Sequence, residues 1–177
     1  GMRTVEEKIT TREELAPKVA RWREEGKVVG FTSGSFDIIH AGHVSYLQAA
    51  KEKCDILIVG INTDESVRSY KGPDRPIVPE DSRVKMMAGL ESIDYVFTFN
   101  ERRNRQNLET IKPSLYIKAG DYTPEQLTSG DVVKKYGGDI LLLLMEEGFS
   151  TSNLIKKIVK LYGGEVQEEA DETVKAK

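Results

Sequence analysis

The sequence predicts a doubly wound α/β fold, a five-stranded parallel sheet with helices on both faces. Three observations carry this reading. Short apolar runs alternate with helix-period segments along the chain, the order that gives parallel strands joined by crossover helices. One of these runs, Asp55 to Ile61 (DILIVGI), is apolar at successive positions and so requires cover from both sides. At 177 residues the chain is sized for one core rather than two.

The elements follow in order. Thr10 or Thr11 caps a first helix, with Glu13 and Glu14 close behind and Leu15, Val19 and Trp22 recurring on one face until Gly26 ends it. Residues 1–26 are read as an N-terminal helical extension and 27–162 as the main domain. Val28 to Thr32 is the first strand, followed by a Gly/Ser turn and a helix from Gly42 to Lys53. Asp55 to Ile61 is the second strand, Gly72-Pro73-Asp74-Arg75-Pro76 a loop, and Glu80 to Leu90 a helix. Tyr95 to Phe99, Leu115 to Ala119 and Asp139 to Met145 supply three further strands, and Ser152 to Tyr162 the last helix. Residues 163–177 are charged and poor in apolar side chains, the composition of a disordered tail.

A net charge of −3 gives no general attraction to nucleic acid or to an anionic membrane, so neither is expected as a partner. Any phosphate site must therefore be local. The single cysteine, Cys54, excludes an internal disulfide and a cysteine-built zinc site, and its place at a helix-to-strand junction suits packing. No apolar run approaches the roughly 20 residues of a membrane helix, and the N-terminal stretch has no signal-peptide core. The cytoplasm is the expected compartment.

In doubly wound sheets, ligands settle beyond the carboxyl ends of the strands where the strand order reverses. The first strand leads into Gly34-Ser35-Phe36-Asp37-Ile38-Ile39-His40-Ala41-Gly42-His43, which contains both histidines of the protein. Gly34, Ser35 and Phe36 form the turn, Gly42 leaves room for a phosphate at a helix start, and His40 and His43 offer hydrogen bonds to it. Caps or packing are the ordinary alternative for such a pair. A zinc site of the i, i+4 type with an intervening glutamate is absent, and no metal ligands are assigned.

Three further segments qualify. Ser150, Thr151 and Ser152 open the last helix, either as a second anion cradle or as a plain N-cap. Lys71, before the Gly-Pro loop, can swing over a bound triphosphate, and Arg83 can make a bidentate phosphate contact, although exposed cations are common. Lys118-Ala119-Gly120-Asp121-Tyr122 leaves the fourth strand: Gly120 permits close approach, and Asp121 suits a ribose, a sugar, a metal or a turn.

These segments in this order resemble the cytidylyltransferase-like nucleotidyltransferases, whose pattern is G-x-F-D-x-x-H-x-G-H near the start and S-T-S or S-T-T near the end. FTSGSFDIIHAGHVSYLQAA, LIVGINTDESV, KGPDRPI, KAGDYTPEQL and EEGFSTSNLIKKI look like the branch that makes ADP-heptose from heptose 1-phosphate, and span most of Phe31 to Ile158. The family's G-C-F-D reads Gly34-Ser35-Phe36-Asp37 here, and its K-G-G-D-Y reads Lys118-Ala119-Gly120-Asp121-Tyr122.

The resemblance implies a Rossmann-like sheet of the H-x-G-H type. It also implies phosphate contacts at His40, His43, Lys71, Ser150 and Thr151, ATP and a sugar phosphate as substrates, Mg²⁺ as cofactor, and a family often found as homodimers. Nucleotide contacts are then expected at Gly34, Ser35, Phe36, Gly42, Arg83, Gly120 and Asp121, and acceptor contacts at Asp37 and Lys118. Two alternatives stand beside this: a cytidylyltransferase using CTP with glycerol 3-phosphate or phosphoethanolamine, and a nucleotide-binding regulatory module without turnover.

Overall fold

A computed structural model describes residues 2–120, 128–145 and 150–164. Five parallel strands form one sheet in the order β3-β2-β1-β4-β5: β1 Val29–Gly34, β2 Ile56–Asn62, β3 Tyr95–Phe99, β4 Leu115–Ala119 and β5 Asp139–Leu143. The chain winds outward in one direction from β1 to β3 and in the other from β4 to β5. The order therefore reverses between the neighbours β1 and β4, where Gly30 pairs with Leu115. The loops after these two strands are the ones expected to carry the site.

Period-two alternation in β2 explains the double cover. Leu57, Val59 and Ile61 face a core with Tyr46, Leu47 and Ala50 of helix α3 (Ala41–Glu52) and Val84, Met87 and Ala88 of α5 (Glu80–Ala88). Ile58 faces the opposite core with Phe31, Phe97, Leu108 of α6 (Arg105–Ile111) and Val132 of α7 (Gly130–Lys135). Gly60 has no side chain for a physical reason: a Cβ there would meet Phe31, Phe97 and Phe99 ring atoms, each at 3.1 Å. Cys54 packs as expected, its thiol donating to the Ala50 carbonyl, with burial pushing its pKa up to about 11.

The strands agree with the sequence reading to within one or two residues. Leu144 and Met145 fall outside β5, and Leu144 is exposed. The segment read as an extension is built into the fold. A short helix α1 (Val5–Lys8) leads to Thr10, whose N–H donates to the Val96 carbonyl of β3. Helix α2 (Arg12–Glu24), capped by Thr11, buries Leu15 and Val19 completely in the second core. The last helix, α8 (Thr151–Tyr162), follows β5. Of residues 163–177, read as a tail, 165–177 lie outside the described part.

Four of the described helices escaped the sequence reading: α1, α6, α7 and one over 64–71. α4 (Asp64–Lys71) starts at the Thr63 cap and ends at Gly72, whose φ of 98° is the left-handed geometry that favours glycine. Only Ser66 and Val67 are buried in it, so it has no apolar stripe to detect. Lys71 is therefore the last residue of a helix, with its side chain at a fixed exit point.

Candidate active site

The turn after β1 holds its histidines by reciprocal backbone capping. His40 is the N-cap of α3; its Nδ1 accepts from the Gly42 N–H at 3.1 Å, and His43 Nδ1 accepts from the His40 N–H at 3.2 Å. An imidazole that accepts at Nδ1 carries its proton on Nε2 when neutral, so Nε2–H is the donor each ring presents. The rings lie 4.0 Å apart between centroids, and both are only partly exposed. Burial first, then His40 and Lys71 nearby, lowers the His43 pKa to about 4. At neutral pH His43 is an uncharged hydrogen-bond donor, held at the positive end of a helix dipole.

Phe36 sets the shape of this turn. It adopts φ 48°, a strained conformation for a bulky side chain, and its buried ring meets His43 edge-on at 5.8 Å. A Cβ at Gly34 would come 3.2 Å from that ring, tighter than an ordinary contact, so the ring would have to shift. Gly42 is buried and its N–H is taken by His40.

Other segments reach the same turn. The Thr151 hydroxyl at the start of α8 donates to the Ile38 carbonyl at 3.0 Å. This bond brings the α8 N-terminus against the histidine loop. Ser150 caps α8, its Oγ accepting from the Asn153 N–H at 2.9 Å. Both hydroxyls are thus engaged with backbone, and the anion-attracting feature left at this end is the Thr151 and Ser152 amides, which have no partner among the described residues.

Lys71 Nζ donates to Ser35 Oγ at 3.2 Å, placing its ammonium beside the turn. Partial desolvation and the neighbouring Arg75 pull its ammonium below the ordinary lysine value, while Asp37 opposes the shift. Lys118, at the carboxyl end of β4, is half-buried without a hydrogen bond or ion pair among the described residues, and desolvation lowers its pKa too. Gly120 follows with φ 131° and donates to the Leu143 carbonyl. Asp121 lies outside the described residues.

Two expected contacts are corrected. Arg83 is fully buried: its guanidinium donates to the carbonyls of Val78, Ser35 and Asn62 and to Asp64 Oδ1, at 2.6–2.8 Å. Four acceptors occupy it, so it braces the site rather than meeting a phosphate. Asp37, expected to touch the acceptor, is 1% exposed at its side chain and accepts from the N–H groups of Ile77 and Val78.

Two residues near the site went unnoticed in the sequence. Arg75 lies 3.9 Å from Asp37 and 3.5 Å from Ser152 Oγ, between the lid loop and α8; its place in the loop gave no signal of either contact. Asn104 donates to Ser33 Oγ at the end of β1 and accepts from Asn107, which in turn accepts from Arg12 of α2. Arg12 also pairs with Glu101. Among the described residues no three His, Cys, Asp or Glu side chains gather in a metal-holding group.

The chain is similar to several known proteins. Residues 31–165 match the cytidylyltransferase-like family. The chain is 45% identical, over 92% of its length, to the bifunctional protein HldE of Trichlorobacter lovleyi. It is 46% identical over 88% of its length to the protein of that name from Bradyrhizobium sp.. It spans about a third of these relatives, 33% and 32%. Among solved structures it resembles the lipopolysaccharide core biosynthesis protein from Thermoplasma volcanium, with 25% identity and a TM-score of 0.57, over 68% of this chain and 98% of that one.

Proposed function

The chain belongs to the cytidylyltransferase-like family and is a nucleotidyltransferase, and from that premise we propose that it transfers AMP from ATP to a sugar 1-phosphate, releasing pyrophosphate. D-glycero-D-manno-heptose 1-phosphate is the proposed acceptor, and the cytoplasm the proposed compartment. One observation carries the reading: the Thr151–Ile38 and Lys71–Ser35 hydrogen bonds gather the α8 N-terminus and the lid lysine around the His40–His43 turn. The α8 N-terminus, two imidazoles and a lysine gathered at one turn suit a polyphosphate.

The chemistry needs few groups. An oxygen of the acceptor phosphate attacks the α-phosphorus of ATP in line, and the bond from that phosphorus to the bridging oxygen of the β-phosphate breaks, its electron pair leaving with pyrophosphate. A phosphate monoester has a second pKa near 6, so the nucleophile is already largely dianionic at neutral pH and requires no general base. A neutral His43 fits this, since its work is to donate toward oxygens that gain charge. In this reading Lys71 covers the phosphates and adds positive charge, and Lys118, half-buried at the carboxyl end of β4, is assigned to the acceptor.

Mg²⁺ is the proposed cofactor. Among the described residues no three His, Cys, Asp or Glu side chains gather to hold it; it would arrive with the nucleotide and keep several of its waters. It would offset phosphate charge there.

A pyrophosphate-release panel tests the proposal: ATP or CTP, with Mg²⁺, against heptose 1-phosphate, glycerol 3-phosphate and phosphoethanolamine. Release with ATP and heptose 1-phosphate alone is expected. Turnover with CTP and glycerol 3-phosphate or phosphoethanolamine overturns the substrate assignment, and nucleotide binding without release from any acceptor overturns the catalytic one.

A further inference from the structure

Asp37 presents a physical puzzle within a polyphosphate site. A buried carboxylate beside incoming phosphates opposes their binding by like-charge repulsion, and desolvating it is costly unless its oxygens are satisfied. They are satisfied by one segment. Oδ1 accepts from Ile77 N–H at 3.0 Å and Val78 N–H at 2.8 Å, Oδ2 accepts from Ile77 N–H at 2.9 Å, and the Arg75 guanidinium stands 3.9 Å from Oδ2. Ile77 itself is 52% exposed, so its amide is held by this carboxylate rather than by burial of the side chain.

That segment is the loop joining α4 to α5, and it carries two cations. Lys71 stands at its start, bonded to Ser35 two residues before Asp37. Arg75 stands mid-loop, with one nitrogen toward Asp37 and another 3.5 Å from Ser152 in the first turn of α8. At 3.9 Å the Arg75–Asp37 contact is an ion pair longer than a hydrogen bond, which leaves the guanidinium donors for another acceptor.

We propose that Asp37 is a positioning residue that fixes the 72–79 loop so that Lys71 and Arg75 lie over the polyphosphate, with Arg75 a second phosphate-binding cation. The carboxylate acts through the loop and touches neither substrate. This rests on the polyphosphate reading of the site and adds to it a division of labour: Asp37 sets the height of the lid, and the lid supplies the charge.

The first measurement uses the wild-type protein without nucleotide. The Ile77 and Val78 amides should exchange with deuterium at least about 10-fold more slowly than that of Asp74 in the same loop; equal rates overturn the clamp. The second compares Asp37→Asn, Lys71→Gln/Arg75→Gln and the triple variant by ATP KM and kcat. Asp37→Asn should lower kcat/KM for ATP on the order of 10–100-fold, mostly through KM, with the fold retained. In the Lys71→Gln/Arg75→Gln background the same change should cost less than about twofold, because the groups it positions are gone. An undiminished loss in that background sinks the proposal while leaving the polyphosphate site intact. Wild-type kinetics for Lys71→Gln/Arg75→Gln remove both.

Discussion

His43 has two jobs that substitution can separate. Its Nδ1 accepts the His40 N–H at 3.2 Å and so helps cap α3, while its Nε2–H is the donor proposed for the phosphates. His43→Ala deletes both; His43→Asn keeps a side-chain acceptor at about the reach of Nδ1 and removes the donor beyond it. Loss of a helix cap costs about 0.5–2 kcal/mol, and the length of this bond places it toward the lower end. About 1 kcal/mol shifts Tm by roughly 2–4 °C in a domain of this size, so His43→Ala should melt that much lower and His43→Asn close to wild type. Turnover should behave differently. Removing one preorganised donor costs about 10²–10³ in rate, or about 2.7–4 kcal/mol, and both variants should show it equally. The two effects cannot be confused, because a protein stable by about 5 kcal/mol stays almost wholly folded after losing 1. Steady-state pyrophosphate release and thermal melts on the same preparations supply the data. A His43→Asn enzyme within about tenfold of wild-type turnover would refute the argument, whatever its stability.

Two further outcomes follow from the buried groups. His43 titrates about 4 in the folded chain against an ordinary value near 6.5, so the unfolded chain binds the extra proton first. Stability should therefore fall as pH drops from 6.5 toward 4 and be unaffected by this group above 6.5. Urea denaturation of wild type against His43→Asn reads the difference, and the ring's NMR titration should move upward when ATP binds; a free-protein midpoint near 6.5 contradicts the desolvation argument. Arg83→Met leaves three carbonyls and Asp64 without their cation and should cost about 3–5 kcal/mol in urea denaturation, whereas a phosphate-binding arginine would leave stability alone and raise the KM for ATP.

The sheet was legible in the sequence because its signals are local. Each strand is a short apolar run between turn residues, and the reversal between β1 and β4 follows from ordinary winding. The histidine turn was equally legible, since a strand, glycines and two imidazoles crowd into ten residues. Arg83 and Asp37 were misread for a shared reason. Their partners lie far along the chain, Ser35 for Arg83 and Ile77 for Asp37, and only the folded loop reveals that a charged side chain in a motif read as ligand-binding is spent on backbone. Helix α4 was missed because two buried residues, Ser66 and Val67, leave no period to count, although Thr63, Asp64, Glu65 and Gly72 carry its start and stop signals.

The relay from Arg12 through Asn107 and Asn104 to Ser33 links the carboxyl end of β1 to a helix that comes before the first strand. Trimming the gene to begin where the family likeness does, at Phe31, would discard β1's opening residues together with the plug that Leu15 and Val19 form. The smallest portable unit of this protein therefore starts upstream of Arg12, and fusions or grafts should be joined ahead of that point.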